Sequence, residues 1–83
     1  MKLALAQINP TVGDLKGNIT KIENYINNAK KKGADLVIFP EGAVTGYPPL
    51  DLLYEKDFVK QNKELLLDLA SRVEGITAIV GFV

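Results

Sequence analysis

The chain has 83 residues, with 10 basic and 10 acidic side chains, no histidine and no cysteine, so its formal charge is zero. A neutral chain lacks the basic surface that nucleic-acid binding needs. Without Cys or His, these residues exclude a disulfide framework, a thiolate metal site and any Ser-His-Asp or Cys-His catalytic set. An apolar content of 47% is that of a globular chain, and the length allows one domain at most.

Neither apolar terminus fits a targeting or membrane segment. The run at residues 3–6 stops at Gln7, too short for the core of a signal peptide, and the run at 76–83 is too short to cross a bilayer. We therefore expect a soluble, cytoplasmic protein.

The first half of the chain predicts a strand followed by a helix. Residues 2–8 are a short apolar run that ends at a turn signal, and residues 11–17 form a loop. Apolar residues spaced three and four apart then predict a helix over 18–32. Asn18 is the favoured N-cap, and Asp14 is the alternative if the helix begins earlier.

The second half repeats this pattern and adds a third strand. Residues 35–39 are apolar without alternation, which indicates a strand buried on both faces of a sheet. A Gly- and Pro-rich loop over 41–53, a helix over 55–73 and a strand over 76–83 follow. The order β-α-β-α-β indicates an α/β fold.

Two helices cannot cover both faces of three apolar strands, so we expect these residues to be the front part of a larger domain. The chain stops at Val83, inside the last apolar run. The apolar stripes of both helices should be largely buried. The sheet side chains for which we make the same prediction are Leu3, Leu5, Leu36, Ile38 and Ile79.

One carboxylate stands where α/β proteins place functional groups. Glu41 follows the second predicted strand and Pro40, and ligands and catalytic groups collect beyond the carboxyl ends of parallel strands. An apolar setting raises the pKa of a carboxyl group and makes it a better proton acceptor. From spacing alone, a solvated turn residue remains the alternative. No carboxylate cluster has the spacing of a metal site.

Short motifs stand in order along the chain: Ala6-Gln7, Gly13-Asp14, Asn18, residues 36–41 and Thr45-Gly46-Tyr47. Together they resemble the opening of the nitrilase, or carbon–nitrogen hydrolase, superfamily. The continuation over residues 46–53, Gly-Tyr-Pro-Pro-Leu-Asp-Leu-Leu, is similar to the glutamine-hydrolysing amidase domain that begins glutamine-dependent NAD(+) synthetases.

This resemblance implies an α-β-β-α sandwich with a Glu-Lys-Cys catalytic set, in which Glu41 is the general base for the cysteine thiol. It implies that Tyr47 lines the glutamine pocket; the alternative is a tyrosine that packs its ring and exposes its hydroxyl. The Lys and Cys lie downstream in such proteins. Residues 1–83 are then an incomplete N-terminal part of the amidase domain, and we expect them to be inactive alone.

The resemblance also implies what the longer protein does. Ammonia from glutamine would pass to a second domain that uses ATP and Mg to convert deamido-NAD to NAD, and the protein would be a homo-oligomer with no nucleic-acid or membrane partner. No cofactor or metal is expected within these residues. Two alternatives remain open: a stand-alone nitrilase-superfamily amidohydrolase, and a non-catalytic flavodoxin-like binding module that folds alone as a monomer.

Overall fold

A computed structural model describes residues 1–40, 42–44, 46 and 56–81. Three strands alternate with two helices, which confirms the predicted order and the α/β class. The predicted strand and helix bounds were longer by a few residues at most ends, where backbone pairing weakens. The elements are β1 (Leu3–Leu5), α1 (Leu15–Lys31), β2 (Leu36–Ile38), α2 (Lys56–Arg72) and β3 (Thr77–Ile79).

The three strands form one parallel sheet in the order β1-β2-β3. Leu3, Leu36 and Thr77 share one register position across the sheet. Because all strands run the same way, the segments that follow β1 and β2 leave the sheet at the same edge, which we call the carboxyl edge. The opposite, amino edge receives the ends of α1 and α2.

Helix α1 begins at Leu15, earlier than the favoured prediction. Asp14 is the N-cap, and its carboxylate accepts a hydrogen bond from the Gly17 N–H at 3.1 Å. The prediction that Asn18 caps this helix is therefore wrong, and the alternative, Asp14, is confirmed. Asn18 lies in the first turn of α1 and is completely buried.

The core lies between the helices and one face of the sheet. Both crossovers move along the sheet in the same direction, and parallel crossovers are right-handed, so α1 and α2 pack side by side on the same face. Val37 of β2 points to this face and is fully buried. The buried apolar residues that α1 and α2 contribute are Leu15, Ile19, Ile22, Ile26, Ala29 and Leu69.

The other face of the sheet is apolar and lacks cover from the residues described. Leu3, Leu5 and Ile79 are 52%, 65% and 51% exposed, so the prediction that they are buried is wrong for this chain. Leu36 and Ile38, on the central strand, are half-buried. The physical reason is that both helices occupy the same side of the sheet. We call these five side chains the outer face.

Candidate site at the carboxyl edge

The two residues that the sequence singles out for chemistry, Glu41 and Tyr47, lie outside the described residues. The structure does describe the chain directly before Glu41 and the turn at residues 42–44 after it. The candidate site is therefore built from its surroundings: the loop between β1 and α1, and the segments on either side of Glu41.

The chain that leads into Glu41 is held by a buried aromatic residue. The Phe39 N–H donates to the Ile79 carbonyl oxygen at 3.0 Å, so pairing with the third strand continues past the end of β2. The Phe39 ring is 6% exposed and packs edge-to-face on Tyr25, with the ring centres 5.8 Å apart. The Tyr25 hydroxyl in turn donates to the Leu5 carbonyl oxygen at 3.1 Å. These contacts hold the backbone at Phe39, two residues before Glu41.

The chain that follows Glu41 is held by Asn18. The Asn18 Oδ1 accepts the Thr11 N–H at 2.7 Å, and its Nδ2 donates to the carbonyl oxygens of Thr11 and Val44, each at 2.7 Å. We call this set of three hydrogen bonds the Asn18 clamp. It joins the β1–α1 loop, helix α1 and the turn after Glu41 through one buried amide.

A glycine brings the same two loops into contact. Gly46 has φ +79°, and a Cβ at this position would stand 2.5 Å from the Val12 Cα. The Gly46 N–H donates to the Gly42 carbonyl oxygen at 2.7 Å and closes the turn. Only a residue without a side chain allows both the left-handed backbone and this approach. Close packing on Val12 therefore explains why the Thr-Gly-Tyr motif has a glycine at this position.

Asn18 is the functional candidate that the sequence interpretation missed, because it was assigned to a helix cap. A signal was present, since Asn18, Ile22 and Ile26 follow one another at four-residue spacing on the apolar face of α1. An amide on a buried stripe must find hydrogen-bond partners, because a buried polar group without them is costly. That reasoning points to a contact with a neighbouring loop.

Charge at the carboxyl edge is sparse among the described residues. The Lys21 ammonium donates to the Asn9 carbonyl oxygen at 2.8 Å and secures the β1–α1 loop from its exposed side. The described ion pairs lie elsewhere, on helix surfaces; Arg72 donates to Glu23 and holds the pKa of that carboxyl below its ordinary value. In the part of the chain described, no three acidic side chains gather as a metal site would require.

A cleft of about 320 Å³ opens between the helices and β3. It has no ionisable group in its lining, so it offers packing surface and no acid–base chemistry. The residues that line it are Ile26, Leu66, Leu69, Ala70, Val73, Ala78 and Val80. In the described residues, no helix is long and apolar enough to cross a membrane.

Among curated proteins, this chain is similar to glutamine-dependent NAD(+) synthetases. It is 38% identical over 85 residues to that of Thermotoga maritima and 45% identical over 78 residues to that of Synechocystis sp.. These matches cover 100% and 94% of this chain but 15% and 14% of the relatives. The chain therefore spans about one seventh of the length of these relatives.

Solved structures show the same likeness in three dimensions. The glutamine-dependent NAD(+) synthetase of Acinetobacter baumannii, solved with ADP, matches 96% of this chain and 15% of its own with a TM-score of 0.90 and 40% identity. An amidase from Nesterenkonia sp. matches 99% of this chain and 32% of its own with a TM-score of 0.82 and 26% identity.

The sequence pattern of the carbon-nitrogen hydrolase family matches residues 2–83, almost the whole chain. This match confirms the resemblance read from the motifs, and the parallel sheet with its two helices agrees with the solved relatives. The chain belongs to the carbon–nitrogen hydrolase family.

Proposed function

We propose that residues 1–83 form the N-terminal part of the glutamine amidase domain of a glutamine-dependent NAD(+) synthetase. Identity of 40% and a TM-score of 0.90 with the Acinetobacter baumannii synthetase, against 26% and 0.82 with the Nesterenkonia amidase, favour this over a stand-alone amidohydrolase. The observation that carries the proposal is the carboxyl edge, where the backbone is anchored both before and after the position of Glu41.

In this proposal Glu41 is the general base. It takes the proton of a cysteine thiol that the rest of the protein supplies, since this chain has no cysteine. The sulfur attacks the side-chain amide carbon of glutamine, the carbon–nitrogen bond breaks and ammonia leaves with the proton. Water then hydrolyses the thioester, which gives glutamate and restores the thiol. The lysine that completes the set is also proposed to come from the rest of the protein, as the resemblance to the family implies.

Tyr47 is proposed to line the glutamine pocket. Its neighbour Gly46 is buried and packed against Val12, which supports a fixed starting point for the chain at Tyr47. Replacing Tyr47 with Ala should raise KM for glutamine and leave synthesis from ammonia unchanged. An unchanged KM would assign Tyr47 to surface packing instead.

The outer face supports the proposal that these residues are an incomplete domain. In the α-β-β-α sandwich that the resemblance implies, a second sheet packs on this face. Leu5→Ser in the full-length protein should then cost roughly 1.5–3 kcal/mol of stability, the value of a buried leucine side chain. A binding module that folds alone, with Leu5 in water, would show almost no change in thermal melting.

The remaining parts of the proposal concern the longer protein. It would be a cytoplasmic homo-oligomer whose second domain binds ATP and Mg and converts deamido-NAD to NAD. The chemistry assigned to residues 1–83 uses neither ATP nor a metal.

The test supplies the full-length protein with glutamine labelled at its amide nitrogen, together with ATP and deamido-NAD. The proposal predicts that the label enters the carboxamide of NAD. Release of labelled ammonia without NAD formation would indicate the stand-alone amidohydrolase. No glutamine hydrolysis at all would contradict an amidase and favour the non-catalytic module.

A further inference from the structure

We infer that Asn18 is a positioning residue for glutamine hydrolysis, acting on Glu41 through the turn that follows it. This inference rests on the proposed function. It starts from the Asn18 clamp, whose three short hydrogen bonds are made by a side chain that is 0% exposed.

The amide group is the chemical type that this position requires. One acceptor must meet the Thr11 N–H while two donors meet the carbonyl oxygens of Thr11 and Val44. An amide offers one carbonyl oxygen and two N–H donors, so it satisfies all three at once. A carboxylate would face two carbonyl oxygens without a proton to give. A hydroxyl or methyl side chain is too short to reach both loops.

The clamp acts close to the proposed base. Val44 is three residues after Glu41, and the hydrogen bond from the Gly46 N–H to the Gly42 carbonyl oxygen links the two ends of the turn that contains Val44. The contact of Gly46 with Val12 ties that turn to the same loop that Asn18 holds through Thr11. The backbone after Glu41 is thus anchored at two points, at Val44 by Asn18 of α1 and at Gly46 by Val12 of the β1–α1 loop.

The anchor before Glu41 is independent of Asn18. Phe39 is held by its own backbone bond to Ile79 and by its ring contact with Tyr25. Loss of the clamp should therefore leave the strand in place and displace the turn, so that the carboxylate shifts relative to its thiol. A misplacement of about 1 Å lowers the rate of a positioned reaction by on the order of 100-fold.

The test compares three variants of the full-length protein. Asn18→Ala removes the clamp, and Gly46→Ala separates the two loops by a different route, through the contact with Val12. Ile26→Ala is the control, because Ile26 is buried on the same helix but makes no contact of the clamp. For each variant, kcat and KM for glutamine are compared with the rate of NAD synthesis from ammonia by the same preparation.

For Asn18→Ala and Gly46→Ala we expect kcat with glutamine to fall by roughly 10- to 100-fold, with the ammonia rate retained. KM should change little in Asn18→Ala and rise in Gly46→Ala, because Gly46 directly precedes Tyr47. Ile26→Ala should lower the melting temperature and keep the wild-type ratio of the two rates. If Asn18→Ala does not fold, Gly46→Ala still tests whether the contact between the two loops determines the rate of glutamine hydrolysis. A wild-type ratio in both loop variants would overturn the inference and leave Asn18 a purely structural residue.

Glu41→Gln separates this outcome from failure of the proposed function. If that variant still hydrolyses glutamine, the assignment of the base is wrong and the inference falls with it. If it is inactive while the loop variants keep the wild-type ratio, only the role of Asn18 is wrong.

Discussion

The two edges of the sheet are built from different interactions. At the amino edge, the Lys2 backbone N–H donates to the Asp35 carboxylate at 2.8 Å and the Lys2 ammonium donates to the Lys32 carbonyl oxygen at 2.5 Å, and all three residues are exposed. At the carboxyl edge, the Asn18 side chain and its hydrogen bond to the Val44 carbonyl oxygen are buried, and its two hydrogen bonds to Thr11 are part-buried. Water can replace the first set at little cost, whereas breaking the second leaves buried groups unsatisfied.

Under the proposed function, the two edges differ in how accurately their backbone must be held. A strand end that serves only the fold tolerates small movements, and exposed hydrogen bonds suffice there. A strand end that presents a general base must be held within a fraction of an ångström. Among the described residues, the buried hydrogen bond of Asn18 lies on the side of the sheet where Glu41 follows β2.

The largest stability difference is expected between two asparagines of α1. Asn18→Ala should lower the free energy of unfolding by about 2–4 kcal/mol, because the buried Val44 carbonyl oxygen and the part-buried Thr11 N–H and carbonyl oxygen lose their partner. Asn27→Ala, on the exposed side of the same helix, should change it by less than about 0.5 kcal/mol. Denaturant unfolding of the full-length variants measures both free energies of unfolding. An equal decrease in the two variants would show that the buried amide contributes no more to stability than the exposed one.

A second comparison uses one glycine from each edge. Gly33 at the end of α1 has φ +83° and open space around its Cα, while Gly46 has φ +79° and Val12 against it. Gly33→Ala should cost about 1–2 kcal/mol from backbone strain alone. Gly46→Ala carries the same strain and a steric clash in addition, so its melting temperature should fall further. A similar decrease in melting temperature for the two variants would indicate that the segments containing Gly46 and Val12 separate easily.

The smallest effect is expected from the exposed ion pair between the helices. Arg72 lowers the pKa of Glu23, so the pair stabilises the fold above the carboxyl's unfolded-state pKa, and this contribution disappears as the pH falls through its folded-state value. Arg72→Gln should therefore lower the melting temperature slightly at pH 7, with a gap from wild type that closes below about pH 4. A gap that persists in acid would show that Arg72 acts through packing.

The element order could be predicted from the sequence because the spacing of apolar residues within each segment shows which of its faces is buried. Both helices and all three strands could be placed in this way. The start of α1 was misplaced because Asp14 and Asn18 are both good caps, and only the partner of each side chain decides between them.

The sequence indicated an uncovered sheet face and a buried amide at Asn18, but it could not identify the exposed side chains or the partners of that amide, because both depend on contacts between distant segments. Exposure of Leu3 and Leu5 depends on which side both crossovers take, and the partners of Asn18 come from segments 7 and 26 residues away. The placement of Glu41 after β2 could be predicted from topology alone. Its chemical role stays a proposal that mutation can test.

The most direct measurement compares two carboxylates that flank β2 in the full-length protein. Glu41→Gln removes the one after the strand and Asp35→Asn removes the one before it, whose partner is the exposed Lys2 N–H. We predict that kcat/KM for glutamine falls by about 100- to 10,000-fold in the first variant, the usual contribution of a general base. Asp35→Asn should keep wild-type activity, and both variants should still make NAD from ammonia. Glutamine hydrolysis at the wild-type rate in Glu41→Gln would show that Glu41 is not the general base.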